Sequence, residues 1–318
     1  MAVPTLERTG RTTPAPARRR GRRESGERPG IAYLFLSPWV AGAVLLTVGP
    51  MLYSLYLSFT DYDLFTTPRW VGLDNYTRLF TEDTHFLNAV WATVKFVVLS
   101  VPIQLVAALA VAMLLDRSSR AQGLYRSAFY APSLLGTRVA LALVWRATFD
   151  RDGTFDQVMS AVGIRTDGWL TQPGTALLAL VALGVWQFGA PMVIFLAGLR
   201  QIPQELYDAA AVDGAGWWRR FWSITVPMLS PVILFNLVLD TIRAFQVFNA
   251  AFIVSGGTGG PQYSTLFYTL YLWQKGFLEF KMGYASAMAW LLLLGIALIT
   301  TLIFRTARSW VHYGGEES

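Results

Sequence analysis

Six stretches of about 20 or more mainly apolar residues run through the chain, and they restrict what it can become. A helix of that length crosses a hydrocarbon core of about 30 Å. Lipid offers backbone groups no partner outside their own segment, so each stretch is expected to be helical. The predicted spans are Ile31–Phe59, Phe86–Leu115, Tyr125–Phe149, Gly174–Leu199, Met228–Phe252 and Met282–Phe304. Pro38, Pro50, Pro102, Pro132 and Pro191 fall in or near them, where kinks are expected. Only 14% of the 318 residues are charged, against about 25% in soluble domains. The expected architecture is an all-α integral membrane protein. One transmembrane domain, 31–304, lies between tails 1–30 and 305–318.

Arg and Lys placement sets the expected orientation. The N-terminal tail, the turn after Asp116 together with Arg126, the connector 200–227 and the C-terminal tail hold 16 of the 26 basic residues. The three remaining loops hold 6. Both termini are therefore expected in the cytoplasm of a multi-pass cell-membrane protein, with the connector on the same side. The tail carries eight arginines among Pro, Gly, Ser and Thr, a composition expected to be disordered and to anchor electrostatically to the membrane lipid surface rather than to bind nucleic acid. The first span is too long for a signal-peptide apolar region and is expected to be retained.

Several chemistries lack material. With no cysteine there is no thiol nucleophile and no Cys-ligated metal, and His85 and His312 are the only histidines. No GxxxxGK[ST] loop occurs, and the glycine-rich run at Ser255–Ser264 lacks its ending, so it is expected to be a turn-rich linker. The chain is expected to hold no metal or cofactor and not to be an enzyme.

The connector stands apart from the apolar spans. Pro203 suits a helix start, and Asp208-Ala209-Ala210-Ala211-Val212 combines helix formers with an acidic residue in the early turns. Asp213-Gly214-Ala215-Gly216 then breaks the helix, and Trp217 to Trp222 resumes it, with Pro227 expected to end it. Two short helices joined by a glycine elbow are predicted. Its tryptophans fit a headgroup belt, while the small residues around the elbow fit a knob that enters another protein's groove.

The spacing Asp208-Ala209-Ala210, Asp213-Gly214-Ala215, Phe221, Ile224 and Pro227 resembles the coupling-helix signature of bacterial ABC importer permeases, with Asp208 where Glu is usual. Gly72-Leu73-Asp74-Asn75-Tyr76, the run Arg243–Asn249, Thr258-Gly259-Gly260-Pro261 with Ser264-Thr265, and Gly283–Trp290 are similar to carbohydrate-uptake permeases of the maltose and glycerol-phosphate type. The resemblance covers about Pro38 to Phe304. It implies a type I importer permease fold with six membrane helices and a cytoplasmic coupling loop at 200–227. It also implies a second homologous permease subunit, two cytoplasmic ATPase subunits that hold ATP and Mg, and an extracytoplasmic solute-binding protein.

A solute path needs polar side chains within the spans. Asn236, Asp240, Arg243, Gln246 and Asn249 recur at spacings of four, three, three and three, which keeps them on or near one helical face. Amides and carboxylates hydrogen-bond sugar hydroxyls. Trp186 and Gln187, with Trp145 and Trp290, are candidates to stack on or bind a ring. Asp240 and Arg243 equally suit a structural i, i+3 ion pair. A competing class is an ion-coupled secondary transporter using a buried carboxylate such as Asp240.

Overall fold

A computed structural model describes residues 29–116, 122–135, 139–163 and 168–312. The arginine-rich segment 1–28, Arg117, Arg120 and Arg138 lie outside the described residues. The chain divides into two units, Met1–Tyr53 and Ser54–Ser318. Helix α1 (Pro29–Ala43) of the first unit passes through a π turn at Val44–Val48 into α2 (Gly49–Ser58), whose last residues belong to the second unit. Leu34, Phe35, Trp39, Leu45 and Leu46 are exposed along it, as an apolar helix in lipid requires.

The second unit begins with a small corner. Strands β1 (Thr60–Asp61) and β2 (Arg69–Trp70) pair antiparallel, and α3 (Asp74–Thr81) follows. The buried Asn75 amide donates to the carbonyls of Ser58 (3.0 Å) and Thr60 (2.9 Å), which gives that side chain of the Gly72–Tyr76 motif a structural task. Helix α4 (Thr84–Asp116) then runs unbroken for 33 residues. After it come α5 (Gln122–Leu135), α6 (Val139–Phe149), the short α7 (Thr154–Ala161), α8 (Pro173–Trp186) and α9 (Gly189–Leu199), with α8 and α9 bent by 44°. Next come α10 (Gln204–Val212), α11 (Trp217–Arg220), α12 (Val226–Phe245), α13 (Asn249–Val254), α14 (Tyr268–Trp273) and α15 (Met282–Ala307).

Among the described residues, four helices are long and apolar enough to cross a membrane alone: Tyr33–Ser58, Thr84–Asp116, Trp217–Phe245 and Met282–Ala307. Counting each bent pair, α8 with α9 and the segments 123–134 with 139–161, as one span gives up to six.

Two expected features differ. Pro227 does not end the connector helix: a π turn at Phe221–Thr225 joins α11 to α12, and the Val226 amide bonds back to the Phe221 carbonyl. Proline near the start of α12, just after a widened turn, is tolerated. The expected fifth span to Phe252 is also cut short. Its helix stops at Phe245, and α13 begins only at Asn249.

The core has two parts. One gathers Leu79, Phe86, Phe96, Phe267, Leu270 and Met288 where α3, α4, α14 and α15 pack together. The other gathers Leu105, Ala108, Phe195, Leu199 and Leu229 where α4 meets α9 and α12. Close approach in lipid needs small residues. A Cβ on Gly189 would lie 2.8 Å from the Phe129 carbonyl and 2.9 Å from Tyr130 Cα, so α5 and α9 cross backbone to backbone. Gly189→Val is expected to cost about 2 kcal/mol through overpacking, read as a lower melting temperature in detergent; an unchanged melting curve would refute the crossing.

Helix α14 falls in what the sequence placed in an outer loop. Its run Leu266–Trp273 is too short to span lipid, yet Phe267, Leu270 and Tyr271 are buried. Asp83 ties it down. One Asp83 oxygen caps α4 by accepting the Phe86 amide (3.0 Å), and the carboxylate also accepts the hydroxyls of Tyr271 (2.6 and 2.7 Å) and Tyr284 (2.6 Å). Burial works to raise the Asp83 carboxyl, but those donated bonds and nearby Lys275 outweigh it and hold its pKa below the ordinary value. Lys275 lies 5.0 Å from the Tyr271 ring centre and pairs with Glu279 at 2.8 Å. Burial pushes the Glu279 carboxyl up, and hydrogen bonds from Lys275 and Lys281 bring it below its usual value.

Candidate functional site

Two sites emerge, the connector elbow and a cavity beside the break after α12. At the elbow, α10 ends at Val212 with Asp213 as its cap, and the chain turns through Gly214 with φ of +74°. The Ala215 amide donates to the Ala210 carbonyl (2.9 Å) and the Gly214 amide to the Ala211 carbonyl (3.1 Å). This is a Schellman end with glycine in the left-handed position, where a Cβ is costly. Gly216 then caps α11 in an extended conformation, its carbonyl accepting the Arg220 amide at 3.0 Å.

Most of this surface is uncovered. Asp208, Ala209, Asp213 and Gly214 are exposed, and Val212 is 89% exposed at the tip of α10. Ala210, Ala215 and Phe221 are partly buried. Trp217 stacks on Phe221 at 5.8 Å, and Trp218 and Trp222 set their edges against the same group. Sequence reasoning passed over Tyr207. Its hydroxyl meets Thr225 Oγ1 at 3.0 Å and so fastens α10 to the π turn below α12. From Thr225 to Asp240 the helix rises about 22 Å. This bond ties the elbow helix to the base of the helix that carries Asp240 and Arg243.

The cavity of about 540 Å³ opens where two helix breaks face each other, at Gln187–Phe188 after α8 and at Gln246–Phe248 after α12. Irregular backbone inside a membrane domain is tolerable where it lines such a space. Of the residues expected from sequence, Gln187, Asp240, Arg243, Gln246 and Asn249 line it. Asn249 arrives there from the start of α13 rather than from the face of α12. Asn236 is buried away from the cavity, and Trp186 does not line it. Trp186 instead stacks on Trp145 at 5.9 Å, whose indole donates to the Ala179 carbonyl (3.0 Å).

The sequence reading missed Ser100, Gln104 and Ser133, which also line the cavity. Ser100 and Gln104 are four apart on α4, a polar spacing that an otherwise apolar span could have flagged. Asp240 is 3% exposed and meets Arg243 at 3.4 Å, whereas Arg243 is 64% exposed. Asp240 Oδ2 and Ser100 Oγ have no hydrogen-bond partner among the described residues. A buried polar atom without a partner costs about 1–3 kcal/mol, so this site holds unused capacity for hydroxyl groups.

Residues 85–310 match the family described as binding-protein-dependent transport system inner membrane component. The chain is 47% identical over 286 residues to the probable ABC transporter permease protein YesP of Bacillus subtilis (strain 168), covering 90% of this chain and 93% of that one. It is 34% identical over 282 residues to the lactose transport system permease protein LacF of Rhizobium radiobacter, covering 87% and 93%. It is 32% identical over 288 residues to the sn-glycerol-3-phosphate transport system permease protein UgpA of Agrobacterium fabrum (strain C58 / ATCC 33970), covering 89% and 97%. In fold it resembles a chain of a bacterial ABC transporter involved in the import of alginate, an acidic polysaccharide, with a TM-score of 0.75 at 21% identity over 89% of this chain and 96% of that one.

Proposed function

Because the chain belongs to the family of binding-protein-dependent transport system inner membrane components, we propose that it is the permease subunit of an ATP-driven importer that carries a sugar or related polyol into the cytoplasm. The family consists of transport components rather than enzymes, and membership disfavours an ion-coupled secondary transporter built on Asp240. Relatives named for lactose, trehalose/maltose and starch degradation products support a saccharide solute.

The observation that carries the reading is the cavity. It gathers a buried carboxylate, a guanidinium and four amides, with two polar atoms unpaired, in a volume suited to a small hydroxylated ligand. Asp240 Oδ2 accepts a solute hydroxyl, and Arg243, Gln187 and Asn249 donate to others. ATP and Mg are held by two separate ATPase subunits that dock on Asp208–Pro227. Their closure pushes the Ala209–Gly216 elbow, and the Tyr207–Thr225 bond passes the push to α12. A second permease, homologous or a second copy, completes the path, and an extracytoplasmic binding protein delivers the solute. A related transporter has been solved in complex with its periplasmic protein. The basic-residue asymmetry supports cytoplasmic termini.

Purification from membranes tests the assembly: a tagged chain is expected to bring down an ATPase and a permease partner, and recovery of neither would defeat the importer reading. Asp240→Asn keeps shape and removes charge. We expect it to raise the KM for uptake of radiolabelled lactose, maltose or trehalose by about tenfold, equivalent to about 1.4 kcal/mol, with complex yield unchanged. An unaltered KM would assign the Asp240–Arg243 pair to structure alone.

A further inference from the structure

A second space, about 560 Å³, lies between α5 and α9 and is lined by Gly123, Arg126, Ser127, Tyr130, Val193 and Ile194. It shares one wall residue, Ala190, with the solute cavity. The two spaces thus lie on either side of Ala190, beside the close crossing at Gly189 described above. There Ser133 Oγ donates to the Gln187 carbonyl (3.2 Å), across the break between α8 and α9.

The direction of this second space is fixed by the chain. Helix α9 runs from Gly189 to Leu199, and Arg200 beyond it pairs with Asp116 at the end of α4 at 3.7 Å. Val193 and Ile194 therefore lie between the crossing and the connector. Helix α5 begins only a few residues after Asp116, so Gly123 and Arg126 stand at the same end. From there Arg126, Ser127, Tyr130 and Ser133 follow one another at intervals that hold to one helical face. The first three line the outer space and Ser133 lines the cavity. A face of one guanidinium and three hydroxyls opposite apolar Val193 and Ile194 suits a sugar, whose rim is polar and whose ring faces are apolar. Among the described residues Arg126 has no carboxylate within ion-pair distance.

We propose that the α5 face Arg126–Ser127–Tyr130–Ser133 is the release lane for the saccharide, leading from the cavity past the Gly189–Ala190 neck to the connector side. The proposal rests on the importer reading for its solute and its direction. Within it, Ser133 is the positioning residue at the neck, holding α5 against the break after α8, and Arg126 is the polar contact at the mouth. The close crossing of α5 on α9 shuts the neck, and a small shift of α5 away from α9 opens the cavity to the lane.

Because the chain has no cysteine, single Ser127→Cys and Ser133→Cys variants report access directly. In inside-out vesicles holding the complete transporter, a membrane-impermeant methanethiosulfonate is added from the connector side. Both variants are expected to react at least tenfold faster than Leu134→Cys, which lines neither space. Trapping with Mg-ATP and orthovanadate is expected to slow Ser133→Cys at least tenfold, and Ser127→Cys less. Equal rates at 133 and 134, or no change at 133 on trapping, would overturn the lane. So would protection of both positions in every nucleotide state that is relieved when the permeases are separated in detergent, because the groove would then be a subunit contact. Failure of the importer reading itself is seen separately, as a wild-type complex without ATPase.

Discussion

Gly214→Pro is expected to abolish solute uptake while the protein remains folded in the membrane. Gly214 has φ of +74° and its amide donates to the Ala211 carbonyl at 3.1 Å. Proline removes that donor and locks φ near −65°, a conflict worth about 3 kcal/mol or more. If the elbow must hold its shape to dock, that corresponds to a loss of roughly a hundredfold. Nothing lies within 4 Å of a Cβ built on Gly214, so the effect comes from the backbone rather than from a clash. A graded series separates the two causes. Gly214→Asn, which tolerates left-handed geometry, should retain most uptake. Gly214→Ala should lose about 1 kcal/mol of elbow stability. Uptake and copurified ATPase are measured together, and normal uptake by the proline variant would remove the elbow from the mechanism.

Asp83→Ala is expected to be the most destabilising single change on the side opposite the connector. It deletes the cap of α4, worth about 1 kcal/mol. It also strands the Tyr271 and Tyr284 hydroxyls at about 1–3 kcal/mol each. Thermal unfolding of purified protein should shift down by about 10 °C. The pH dependence has a definite sign. The folded Asp83 carboxyl titrates below its ordinary value of 3.8, as Glu279 does below 4.5. Each contributes stability that is present above the ordinary value and lost as pH falls through the lowered one. Wild type should therefore lose more stability than Asp83→Ala between about pH 5 and about pH 3. Parallel acid curves would show that the carboxylate is not the source.

The periodicity that made the spans legible also limited what could be read from them. Asn236, Asp240, Arg243, Gln246 and Asn249 follow a helical spacing, but the helix ends at Phe245, so the spacing does not describe where Asn249 sits. Nothing local marks that break: Gln246-Val247-Phe248 contains neither Gly nor Pro. The elbow was legible because its geometry is local: Gly214 supplies the left-handed residue and Ala210, Ala211 and Ala215 close its hydrogen bonds. Pro227 misled because a proline usually ends or kinks a helix, whereas a five-residue π turn ending two residues before it carries the helix through. The role of Asp83 was invisible, since its partners lie 188 and 201 residues away.

Sequence by itself determined the apolar helices, the elbow and the asymmetry of basic residues. Each follows from lipid, backbone torsion or charge acting over a few neighbouring residues. Tertiary structure alone decided that α14 is buried, that Tyr207 couples the connector to α12, and that Ser100, Gln104 and Ser133 join Asp240 around one cavity. Those outcomes depend on how close helices far apart in sequence can pack, and small residues such as Gly189 set that distance only once both helices are in place.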